Sequence, residues 1–283
     1  MGMLDRLTQT LRAQGAFPGR HRCLDLVRDT LGPALASAPE FETILGPALD
    51  FALEYFEGQI EAIPGPFPIA TAAHAGDPFL AALFPAREDI MAAFGRSVEV
   101  KNFLPTLARD GHACVHALLG VRRRADGERQ LFADHTLRNL APTHRFARES
   151  LARSALARLL NGFRDHVDRR RQQDKLSRIE WDMGNLIPAA AAPAVAREFA
   201  AGGDDLAPAR LVRDLAAWLH DPACVLQIGE GVAVAAGEGN VRRLPALRCA
   251  DRRQWIVCHV ELSVAEALHA IAAESRVHRY IFI

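Results

Sequence analysis

Val121-Arg-Arg-Arg-Ala-Asp126-Gly127-Glu-Arg-Gln-Leu-Phe132 is the stretch that decides how this chain is read, because it sets a turn dipeptide between two strand-like runs. Asp-Gly readily takes the positive φ angles of a type I′ turn, the commonest connection of a tight β-hairpin. Upstream, Val115, Ala117, Leu119 and Val121 alternate with other residues, which places them on one buried face of a strand. A two-residue loop at Asp126-Gly127 sets Val121 opposite Phe132, an apolar cross-strand pair that would hold the register.

Downstream of the hairpin, Thr143 follows Pro142 in the position of a helix N-cap. A stripe of Leu156, Leu159, Leu160, Phe163 and Val167 recurs at helical spacing. It lapses through Asp168-Arg-Arg-Arg-Gln-Gln-Asp-Lys175 and returns with Leu176, Ile179 and Met183. An unbroken helix from Thr143 to Met183 would be about 60 Å long at about 1.5 Å per residue, so it must protrude, pair with another chain or break at the triple arginine.

Upstream of the hairpin the chain reads as short helices separated by proline and glycine. Leu4, Leu7 and Leu11 form one stripe, Leu24, Val27 and Leu31 a second, and Leu49, Leu53, Phe56 and Ile60 a third. Ile63-Pro-Gly-Pro-Phe-Pro68 is an extended connector, since proline fixes φ and removes donors. Helices are expected again at Pro78–Leu83, Arg87–Phe94 and Val98–Leu107. Residues 186–209, with Pro188, Pro193, Gly202, Gly203 and Pro208, have linker composition. Beyond them, Leu211, Leu215, Trp218 and Leu219 form a helical stripe. Strands are expected at Cys224–Ile228, Val232–Ala235, Leu244–Cys249 and Trp255–Leu262, with a turn at Asp251-Arg252, followed by a helix at Val264–Ala273 and a last strand at Arg279–Ile283. The expected fold class is therefore α+β: a helical region (1–110), the hairpin with its long basic helix (111–185), a linker (186–209) and a smaller α+β region with antiparallel strands (210–283).

Across 283 residues, 49% are apolar and 24% charged, the mixture of a chain that folds, and the formal net charge is zero. No global charge steers it toward nucleic acid or an anionic surface. Locally the balance is uneven: residues 1–110 hold 9 basic and 14 acidic side chains, and residues 138–178 hold 11 and 4. Five cysteines without a CxxC pair argue against a disulfide framework and for a reducing compartment. The first residues lack an apolar signal core, and no run of eighteen apolar residues occurs. A cytoplasmic protein without a membrane span is the expectation.

The sharpest chemical motif is His112-Ala-Cys-Val-His116. On a helix, His112 and His116 would share one face as zinc ligands do, although Ala113 stands where a metalloprotease needs glutamate. On a strand, His112, Cys114 and His116 still share a face, and Asp134 or His135 across the hairpin would be the nearest further donors. Cys258-His259 resembles a nucleophile beside a base, yet neighbours on a strand point to opposite faces, so the pair is read as structural. Gly229-Glu-Gly and Gly237-Glu-Gly do not continue as phosphate-binding loops and are read as turns. Arg164, Arg169, Arg170, Arg171, Lys175 and Arg178 form a basic helix segment interrupted by Asp165, Asp168 and Asp174. Without aromatic residues for base stacking it reads as a solvated or partner-contacting face rather than a nucleic-acid site.

The functional expectation is a non-enzymatic binding or scaffold protein, without a cofactor, that meets a protein partner or a second copy through the long helix. The first alternative is a metal protein or enzyme, with zinc at His112, Cys114 and His116. The second is a nucleic-acid-binding module using Arg164–Arg178.

Overall fold

In the computed structural model, which describes residues 20–126, 129–185, 207–237, 239–249 and 254–279, the hairpin forms as two long strands. β2 (Cys114–Asp126) and β3 (Arg129–Ala141) pair antiparallel, and Asp126 pairs with Arg129. The loop therefore spans 127–128 rather than 126–127, and those two residues lie outside the described ones. Phe132 consequently faces Arg123 and not Val121, two positions from the expected register. A shift of two leaves every side chain on its own face, so Phe132 and Val121 still share one core. Register breaks near His116 and Val121, with positive φ at Asp134 (55°) and Asn139 (56°), bend the ribbon as bulges do.

Before the hairpin come α1 (Arg20–Leu31), α2 (Pro33–Ala36), α3 (Phe41–Glu61), a short strand β1 (Phe67–Ile69), α4 (Pro78–Leu83), α5 (Arg87–Arg96) and α6 (Val98–Arg109). After it come α7 (His144–Asn185), α8 (Pro208–Leu219), β4 (Leu226–Ala235), β5 (Val241–Cys249), β6 (Gln254–Ser263) and α9 (Val264–Arg279). The fold is α+β, as expected. The sheet runs β3-β2-β6-β5-β4, antiparallel throughout, with β1 added parallel to β6. β6 is its hub: along one edge it pairs with β2 from Cys114↔Ser263 to Val121↔Ile256, and it also pairs with β5 near Ile256 and with β1 near Val260.

Several differences from the expected elements have simple causes. The connector before Pro68 ends in a strand because Phe67, Pro68 and Ile69 find an open stretch of β6. The two strands expected at 224–235 are one, β4, interrupted at Gly229–Val232. Gly231 is required there, since a Cβ would overlap the Leu244 carbonyl. α9 continues to Arg279, where a strand was expected to begin, and residues 280–283 lie outside the described ones. So do the stripe of Leu4, Leu7 and Leu11, residues 186–206 of the expected linker, and the Asp251-Arg252 turn.

By internal contact the chain divides into two units, each built from two stretches: residues 1–55 with 153–222, and residues 56–152 with 223–283. In the first, α1 contributes Leu24 and Val27, α3 Leu45 and Leu49, α7 Leu156, Leu159, Leu160 and Phe163, and α8 Leu211, Val212, Leu215 and Leu219, all buried. Trp218 Nε1 donates to the Leu159 carbonyl oxygen at 3.0 Å, tying α8 to α7.

In the second unit the sheet buries both faces. Val115, Ala117, Leu119 and Val121 of β2 and Ile256, Cys258, Val260 and Leu262 of β6 pack with Phe79, Leu80, Leu83, Ile90, Phe94 and Leu104 of α4, α5 and α6. The opposite face carries Leu118 and Val257, both buried, and the side chains of His116 and His259.

α7 is a single helix of 42 residues. Thr143 Oγ1 accepts from Phe146 N at 3.3 Å, as its capping position predicts. The polar lapse at 168–175 does not break it, because Arg, Gln, Lys and Asp all tolerate helix and neither proline nor glycine intervenes. Among the described residues, no helix is long and apolar enough to cross a membrane.

Candidate functional site

The second unit gathers three histidines on the sheet face opposite Leu119. β2 and β6 pair Leu118 with His259 and His116 with Glu261, so His116 and His259 are diagonal neighbours on one face. His144, the first residue of α7, lies over them. Its ring centre is 4.6 Å from that of His259 and 6.1 Å from that of His116.

His259 is 1% exposed, and neither of its ring nitrogens has a hydrogen-bond partner. His116 Nδ1 and His144 Nε2 are likewise buried and unpartnered, although both residues are half-exposed as a whole. Four orphaned nitrogens on three neighbouring rings are far from the usual state of buried polar groups, nearly all of which are paired.

Burial holds all three imidazoles below their ordinary pKa. For His259 it acts first, the neighbouring His144, Arg148 and His116 act after it, and the value falls to about 3. His144 is lowered by burial, then by Arg148 and His116, whereas for His116 burial is partly offset by the Glu261 carboxylate. Around the cluster, Arg148 Nη2 lies 3.3 Å from Glu61 Oε1. Buried Glu149 takes a 2.8 Å bond from Arg145 Nε to Oε1 and leaves Oε2 unpartnered.

The backbone beneath His259 is tightly covered. His259 N donates to the Pro64 carbonyl oxygen at 2.8 Å, and Gly65, at φ 121°, leaves no room for a Cβ beside the His259 carbonyl. Gly65→Ala is therefore expected to destabilise by about 2–3 kcal/mol, through both backbone strain and overlap. Denaturant unfolding of the variant would check this. A loss under about 0.5 kcal/mol would mean that the segment yields freely.

The residues picked from the sequence are distributed differently. His112 precedes β2 and its backbone N–H donates to the Leu107 carbonyl oxygen at 3.1 Å. Cys114 is exposed at the strand start, and its thiol is raised by what burial it has and by Glu261. Asp134 lies 3.3 Å from Arg122 and 3.4 Å from Arg124. His135 stacks on Phe84 and donates from Nε2 to the Leu83 carbonyl oxygen at 2.7 Å. Both are thus engaged elsewhere and do not approach His116. Among the described residues, no group of three or more His, Cys, Asp or Glu is placed to hold a metal ion as the side chains stand.

Cys258 and His259 do point to opposite faces, Cys258 into the apolar core, where burial pushes its thiol up to about 12. Between β4 and β5, Asn240 N donates to the Gly237 carbonyl oxygen at 2.7 Å, and Glu238 lies outside the described residues. Motif reading missed His144 and His259 as companions of His116. The available signal was face parity, since His116 and His259 each sit on the side of their strand away from the apolar alternation.

The basic segment is locally compensated where it is described. Arg170 lies 3.5 Å from Asp214, Arg171 3.5 Å from Asp168, and Arg169 Nε donates to the Asp165 carbonyl oxygen at 3.2 Å. Arg164 approaches Asp165 at 3.9 Å and lines a pocket with Leu31, Leu35, Phe163 and Val167. Lys175 is exposed, and the side chain of Arg178 lies outside the described ones. After Val167, the last buried residue of the α7 stripe, Leu176 is 61% exposed and Ile179 54%. No protein-family model, curated protein or solved structure matches this chain.

Proposed function

We propose that this is a non-catalytic binding protein that engages a protein partner, in the first instance a second copy of itself, through the distal part of α7. One observation carries the reading: Leu176 and Ile179, one turn apart on a continuous helix, present apolar side chains to solvent. Isolated exposed leucines are ordinary, but a pair at i, i+3 spacing on a helix is the unit with which helices dock. The same stretch carries Asp168 and Asp174 among Arg169, Arg171 and Lys175. An antiparallel copy of the helix would thus offer it charges of the opposite sign.

Burying the two side chains contributes about 1.5–3 kcal/mol each. The expected result is a dimer whose mass by light scattering falls to that of a monomer on dilution. Replacing both residues, Leu176→Asp with Ile179→Asp, is expected to weaken association at least about tenfold. Fold stability should change by no more than about 0.5 kcal/mol, because neither side chain belongs to a core. A wild-type chain that stays monomeric at every concentration tested would sink the reading. Retention on nucleic acid that weakens with salt and with Arg169–Arg171→Ala would favour the rival use of the same segment.

A further inference from the structure

We propose that the cluster of His116, His144 and His259 is an acid-sensitive latch: on acidification residues 144–152, the first turns of α7, leave the face of β2 and β6 while the sheet stays folded. This goes beyond the contact at distal α7 and shares no residue with it. Three imidazoles meet at one place, the His144 ring 4.6 Å from that of His259 and 6.1 Å from that of His116. Four of their nitrogens are buried without a partner, so a proton added at any of them meets neither an acceptor nor water. A second proton would set like charges side by side. His144 is also the first residue of α7, where the positive end of the helix dipole opposes a cation. The docked turns therefore exclude protons that the undocked turns accept, which is what a pH-driven equilibrium requires.

The charged groups around the cluster do not relieve this. On α7, Arg148 adds positive charge and is paired with Glu61 of α3 at 3.3 Å, while Glu149 is engaged by Arg145 at 2.8 Å. On β6, Glu261 favours a proton at His116 and also interacts with Cys114 of β2. Pro64 and Gly65, against the His259 backbone, carry no charge. The turns yield before the sheet because little holds them: buried Ala147, Leu151 and Ala152, the Thr143 cap, the Arg148–Glu61 pair and Ser150 Oγ 3.5 Å from Asn139 Oδ1. β2 and β6, by contrast, are paired from Cys114↔Ser263 to Val121↔Ile256. Undocking removes the His144 ring that packs edge-on over His259. An undocked His259 at its ordinary 6.5, against a docked one at about 3, raises the undocking equilibrium about 25-fold between pH 7 and pH 5. His116 and His144, lowered in the same direction, add to it, so docking is tightest above 6.5 and is lost as pH falls.

The test is amide hydrogen exchange of the full chain, resolved by segment and corrected for the intrinsic pH dependence of exchange, at pH 7, 6 and 5. Protection over residues 144–152 is expected to fall about 25-fold or more from pH 7 to pH 5 and to lie at least about tenfold below that of β6 throughout. Low urea separates local from global opening: it should speed exchange in β6, which opens with the whole unit, and leave residues 144–152 almost unchanged. In His259→Gln and His259→Leu the fall over residues 144–152 is expected to shrink by at least about tenfold. Circular dichroism verifies folding, and either variant that folds suffices. Protection over residues 144–152 that is equal at pH 7 and pH 5 would overturn the proposal. So would protection that tracks β6 in both pH and urea, or that falls alike in the wild type and the His259 variants.

Discussion

Between pH 7 and pH 5 the protein is expected to lose about 2 kcal/mol of folding stability through His259 alone. The unfolded residue takes a proton below its ordinary value of 6.5, whereas the folded one, buried between β6 and the start of α7, resists protonation until about pH 3. Throughout that window the unfolded state binds more protons, so stability falls as pH falls. At pH 5 the separation from 6.5 is about 1.5 units, at about 1.4 kcal/mol per unit. His116, His144 and His135 are shifted in the same direction, all led by burial, and steepen the loss.

The measurement is denaturant unfolding at pH 7, 6 and 5 for the wild type and for His259→Leu, which removes the titrating ring and its two orphaned nitrogens. Carboxylates titrate in both proteins and cancel in the comparison. Parallel pH profiles for the two would refute the assignment.

A second large effect is expected at Leu119, which is 1% exposed at the centre of the sheet. Leu119→Ala should cost about 3–5 kcal/mol, the transfer free energy of the lost methyl groups plus the cavity left behind. Leu176→Ala on distal α7 should cost less than about 0.5 kcal/mol. Equilibrium unfolding of the pair tests both halves of the contrast, and a Leu119 variant within about 1 kcal/mol of wild type would mean that this face is not the organising core.

The contrast between these leucines shows where the sequence is a reliable guide. Leu119 was legible because Val115, Ala117, Leu119 and Val121 share a period of two, and a sheet that buries one face leaves little freedom about which side they occupy. The helix after the hairpin was legible in its cap and apolar stripe, but not in its continuity. The gap from Asp168 to Lys175 says only that no core covers that face, which is true of a solvated helix and of a break alike. That the residues form one helix follows from their tolerance of helical backbone and from the pairing of Arg171 with Asp168 and Arg170 with Asp214, the last contributed by α8.

The candidate site was legible in one member of three. His116 stood out beside His112 and Cys114, but those neighbours were the ones that proximity along the chain suggested. Its structural companions are 28 and 143 positions further on. They arrive by different routes, His144 because Thr143 starts a helix directly after β3, and His259 because β6 lies beside β2.

By itself, then, the sequence determined the α+β class, the hairpin with its apolar face, the helical stripes and the opposite orientations of Cys258 and His259. All of these follow from periodicity and local backbone preference, which act within a few residues. Only the tertiary structure decided that the hairpin loop is 127–128, that Phe132 faces Arg123, that β6 is the hub of the sheet and that three histidines share its second face. These depend on hydrogen bonds and burial between residues far apart in the chain, where a local pattern fixes which way a side chain points but not what it meets.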